Sequence, residues 1–126
     1  MVKNTLWVLG IVFILLGIWG FFTDMILGIF LVDTMHNLVH LIVGILALVF
    51  AGNVARGTMY ARILGVIYAL ITIIGFFSDS ILGLFMVNMA DTWLHLVFAL
   101  ILLYVGFAGG KKMGEMPSGM SSSQPM

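Results

Sequence analysis

The sequence predicts an all-α membrane protein of four transmembrane helices, built from two tandem parallel helix-connector-helix repeats, and three observations predict it. The first is composition: 63% of the 126 residues are hydrophobic, 8% are charged, and mean hydropathy is +1.25. A soluble chain of this length would have to hide that excess in one small core, whereas a bilayer accepts apolar helices of about 20 residues on every face. The second is the presence of four charge-poor segments of spanning length. The third is an internal repeat at a constant offset of 55 positions, which carries Gly10 onto Gly65, Gly20-Phe21-Phe22 onto Gly75-Phe76-Phe77, and His40 onto His95. Each copy crosses the membrane twice, so both point the same way, related by a pseudo-two-fold axis along the membrane normal.

In chain order, residues 5–22 form the first span, because about 18 residues at 1.5 Å rise reach about 27 Å. A basic start and an apolar run also describe a secretory signal, but no small-residue cleavage site follows and a copy of the segment recurs mid-chain. Residues 34–51 form the second span, with Asp33 as N-cap and Gly52-Asn53 as a left-handed stop. The third runs over residues 58–77, its first turn in the headgroups beside Tyr60 and Arg62. The fourth starts at the cap Asn88 and extends to about Phe107. Residues 1–108 thus form one transmembrane domain, with repeats over about 5–52 and 58–108. Residues 109–126 read as a disordered cytoplasmic tail rich in Gly, Ser and Met. Its methionines resemble a soft Cu(I)-binding run, yet nothing fixes their geometry.

Between the spans lie two apolar connectors, residues 25–32 and 80–87. They are too short to cross and lack the polar face of a surface helix, so they either pack over the helices or meet a partner. Charge orients the whole. Lys3, Arg56, Arg62, Lys111 and Lys112 share the side of both termini, while Asp24, Asp33, Asp79, Asp91 and all three histidines share the other. By the positive-inside rule both termini are cytoplasmic and the connectors face outward. Five Lys or Arg at zero net charge exclude a nucleic-acid interface, and the absence of cysteine removes disulfides, thiolate metal sites and thiol nucleophiles.

The segments from Leu27 to Gly44, with the string His36-Asn37-Leu38-Val39-His40, and from Asp91 to Phe98 are similar to the signature of a bacterial and archaeal membrane family called domain of unknown function 4383. The family pattern carries asparagine where this chain has Asp33 and Thr92, and often a proline before the cap, where this chain has Leu31. The resemblance implies a four-helix integral protein of a bacterial or archaeal cytoplasmic membrane and brings no catalytic residue.

His36 and His40 stand four apart and share one helix face; Asp91 and His95 do the same on the fourth helix. If those faces meet, the four can close on Zn²⁺ or a similar ion, hold a tetrapyrrole, or pass a proton or cation. The preferred reading is structural. His36 and Asp91 occupy N3 behind the caps Asp33 and Asn88, and His40 and His95 lie one turn deeper, where they can satisfy backbone groups of the connectors. Asp24 and Asp79 are expected as interfacial acids facing water. Gly10, Gly17, Gly65 and Thr72 mark a small-residue packing stripe.

No nucleophile-base pair, phosphate loop or complete ligand set is present, and no cofactor is required. The expected function is therefore a non-enzymatic structural or accessory subunit, with lipid and a membrane protein or a second copy of itself as partners. Binding or transport through the His/Asp cluster is the alternative.

Overall fold

The computed structural model describes residues 1–109. Four helices carry the chain: α1 (Val2–Gly20), α2 (Thr34–Phe50), α3 (Val54–Phe77) and α4 (Met89–Leu103), the last running on into a π-helical turn at Tyr104–Gly109. Val2–Gly20, Val54–Phe77 and the continuous stretch Met89–Ala108 are each long and apolar enough to cross a membrane. At 17 residues, α2 is shorter but equally apolar. Their outer surfaces carry Trp7, Ile11, Leu15, Ile63, Leu70 and Ile73 in exposed positions, a surface suited to lipid and untenable in water. The expected tail at 109–126, with Lys111 and Lys112, lies outside the described residues apart from Gly109, which belongs to the π-helical turn.

Packing is closest within two pairs, α1 along α2 and α3 along α4. Gly10 permits the first approach: a Cβ there would come within 3.0 Å of the Gly44 carbonyl oxygen and 2.8 Å of the Leu48 side chain. The pairs meet through a buried aromatic layer of Phe13, Tyr68 and Phe98, in which Phe13 lies 4.7 Å from Phe98 and 5.7 Å from Tyr68 between ring centroids.

The chain is mostly helical, and its two connectors are short β-hairpins. Strands β1 (Met25–Ile26) and β2 (Phe30–Leu31) pair Met25 with Leu31 and Ile26 with Phe30; β3 (Ser80–Ile81) and β4 (Phe85–Met86) pair Ser80 with Met86 and Ile81 with Phe85. The turns explain it. Leu27 and Gly28 have φ of 57° and 69°, Leu82 and Gly83 of 54° and 75°, and positive φ at two successive residues is what a type I′ turn demands. Glycine adopts it freely; leucine does so at a cost of about 1–2 kcal/mol.

The link between α2 and α3 also differs from expectation. No left-handed stop forms at Gly52-Asn53, where Asn53 instead has φ of −138° and its side chain accepts a 3.0 Å hydrogen bond from the Arg56 amide. Asn53 thus caps α3, which starts at Val54 rather than Thr58. At the far end of the molecule, Arg62 Nε donates to the Gly106 carbonyl at 2.8 Å and its guanidinium lies 5.0 Å from the Phe107 ring, tying α3 to the π-helical turn.

Candidate functional site

The hairpin end of the molecule gathers nearly every polar residue singled out in the sequence. Asp33 caps α2 through Oδ1, which accepts from the His36 amide at 2.8 Å. Asn88 caps α4 in the same way, its Oδ1 accepting from the Asp91 amide at 2.9 Å, while Asp91 Oδ2 accepts from the Asn88 amide at 3.0 Å. This reciprocal box is worth about 1 kcal/mol per cap.

Each cap also reaches across to the other hairpin. Asp33 Oδ2 accepts from the Met86 amide at 2.8 Å, and Asn88 Nδ2 donates to the Ile29 carbonyl at 2.7 Å. Correspondingly, β2 packs on α4 and β4 on α2, so each hairpin covers the helix of the opposite pair. Sequence reasoning identified both caps but neither cross-link, since nothing local marks a bond over more than 50 positions.

Beneath this cover, His36, His40 and His95 come together. Their exposures are 1%, 4% and 2%. The ring centroids are 4.5 Å apart for His36 and His40, 5.6 Å for His36 and His95, and 6.4 Å for His40 and His95. One ring nitrogen from each lies within 4.8 Å of the others. Phe85 of β4 stacks over His36 at 4.7 Å, and the aromatic layer forms the floor, with Phe13 at 5.8 Å from His40 and Tyr68 at 5.4 Å from His95.

These imidazoles do not make the backbone bonds expected of them. Among the described residues, neither nitrogen of His36 or His40, nor Nδ1 of His95, has a hydrogen-bond partner. The His36 ring lies beside the backbone of Leu31 and Met86 without closing a bond to either. The reason is the hairpin ladders, which pair connector backbone groups with one another; Asp24 and Asp79 close them, their carbonyls accepting from Val32 at 3.0 Å and Val87 at 2.9 Å. Asp24 and Asp79 are themselves exposed and are not among the clustered groups. Asp91, engaged with its cap, is not among the three clustered groups.

A second buried polar group lies alongside. Asn37, 2% exposed, sets its amide against Gly20, where a Cβ would overlap it, and its Oδ1 has no partner. At the matching position 55 residues on, Thr92 lies against Gly75 in the same way.

The model of the family described as Domain of unknown function (DUF4383) matches residues 3–108. The chain belongs to that family. In this DUF4383 chain the match takes in all four helices, both hairpins and the three histidines. No curated protein and no solved structure matches it.

Proposed function

We propose that this DUF4383 protein is a non-enzymatic, four-span integral membrane protein made of two parallel helix-hairpin-helix units, and that it serves as a structural or accessory subunit of a membrane assembly. In this reading its termini are cytoplasmic, in a bacterial or archaeal cytoplasmic membrane, and the hairpin pair faces outward. Lys3 and Arg56 at one end, against Asp24, Asp33, Asp79 and Asp91 at the other, support that orientation.

The observation that carries the reading is the pair of turn leucines. Leu27 and Leu82 are left-handed and 65% and 76% exposed. Each costs stability by about 1–2 kcal/mol and packs little against its own chain, whereas asparagine or glycine would sit there without that cost. Strain of this kind, kept in both hairpins, points to a contact outside the chain: a membrane protein or a second copy meeting the hairpin tips.

The test is the double variant Leu27→Asn, Leu82→Asn, purified from gently solubilised native membranes. It is expected to be more stable than wild type by about 1 kcal/mol per site and to lose copurifying membrane protein or self-association. Wild-type protein that runs only as a lone monomer, or a variant that keeps its partners undiminished, would sink the proposal.

A further inference from the structure

We infer that His36, His40 and His95 form a binding site for a divalent first-row transition-metal ion with affinity for imidazole, for which Zn²⁺ is the natural probe. The inference goes beyond the subunit role and stands whether or not the hairpin tips meet a partner.

Three features carry it. Five buried imidazole nitrogens lack partners among the described residues, and an unmade buried bond is unfavourable, a penalty that a ligated metal removes. The three nitrogens that face one another already lie within 4.8 Å. A tetrahedral ion with bonds of 2.0–2.1 Å needs them about 3.4 Å apart, so the widest pair closes by no more than about 1.4 Å, within reach of side-chain rotation. Finally, charge is at hand. The carboxylate of Asp33 lies within electrostatic reach of His36, so a formal negative charge stands near a doubly charged ion that three neutral imidazoles leave uncompensated.

The same geometry decides against the other ligands the sequence allows. Imidazoles whose centroids are 4.5–6.4 Å apart enclose space for one ion and none for a tetrapyrrole ring. Passage across the membrane is blocked beneath the cluster by Phe13, Tyr68 and Phe98, all buried. Three histidines leave one coordination position for water or a small ligand, as in three-histidine zinc centres.

The experiment is a titration of the full-length protein, purified in detergent and stripped with a chelator, first with Co²⁺ and then with Zn²⁺. The expected result is one Co²⁺ per chain with the visible bands of a four-coordinate ion, displaced by Zn²⁺. Loss of a ligand in His40→Gln or His95→Gln is expected to weaken binding by more than the roughly 10–100-fold that loss of a supporting partner costs. Circular dichroism and size-exclusion profiles establish that those variants are folded. The wild type supplies an independent measurement: Zn²⁺ is expected to shift the ring ¹⁵N resonances of all three histidines. Absence of saturable binding, a six-coordinate Co²⁺ spectrum, histidine resonances that do not move, or undiminished binding in a folded His95→Gln protein each overturns the inference.

Discussion

Removing the Asp33 carboxylate tests whether the caps do more than end helices. In Asp33→Ala the helix loses an N-cap, worth about 1 kcal/mol, and the inter-hairpin bond to the Met86 amide, a hydrogen bond to a charged group worth about 1.5–3 kcal/mol. The Met86 end is exposed, so water can replace the lost acceptor and the lower end of that range applies. The total is about 2.5 kcal/mol. Asn53→Ala is the internal control, because Asn53 caps α3 through a 3.0 Å bond to Arg56 and its side chain makes no other hydrogen bond among the described residues. It should cost about 1 kcal/mol. Asp33→Asn separates the two terms: asparagine caps as well as aspartate but offers a single oxygen, so this variant should lose about 1.5 kcal/mol from the cross-link alone. Equilibrium unfolding of the three variants in one micelle system reads the differences. Equal losses for Asp33→Ala and Asn53→Ala would refute the cross-link.

Other outcomes follow from the same geometry. Gly20→Ala should destabilise by about 1–3 kcal/mol through overlap with the Asn37 amide, and Asn37→Ala introduced beside it should recover most of the loss in the same unfolding assay. Tyr60→Phe removes the 2.6 Å bond from the Tyr60 hydroxyl to the Val43 carbonyl and should cost about 0.5–1.5 kcal/mol, measured the same way. Because the chain has no cysteine, Leu82→Cys and Arg56→Cys each present a single thiol. A membrane-impermeant maleimide added to intact cells should label the first and spare the second, and the reverse pattern would invert the proposed orientation.

The helical segments were legible because hydropathy alone identifies chain that lipid can surround, and the caps were legible because a short acceptor side chain before an apolar run has one local use. The hairpins were not. Residues 25–32 and 81–87 are apolar throughout, without the alternation that marks a half-buried strand, and the one available signal is a Leu-Gly pair at matching positions. That omission spread to the histidines. Connectors with free backbone groups would have needed His40 and His95 as partners, but strands that pair with each other do not. Helical spacing groups Asp91 with the histidines, whereas an acid at N3 is claimed first by the amide of its own cap. Likewise, Asn53 begins a helix rather than ending one, since asparagine suits both ends and only the backbone angle distinguishes them.

Asp33 and Asn88 occupy matching positions yet divide the hydrogen-bonding labour, one only accepting from the opposite hairpin and the other donating to it. Two segments that both carried aspartate here would set a carboxylate against the carbonyl of Ile29, with no proton between them. The two caps are therefore not interchangeable: each is matched to the backbone group that the opposite hairpin presents to it.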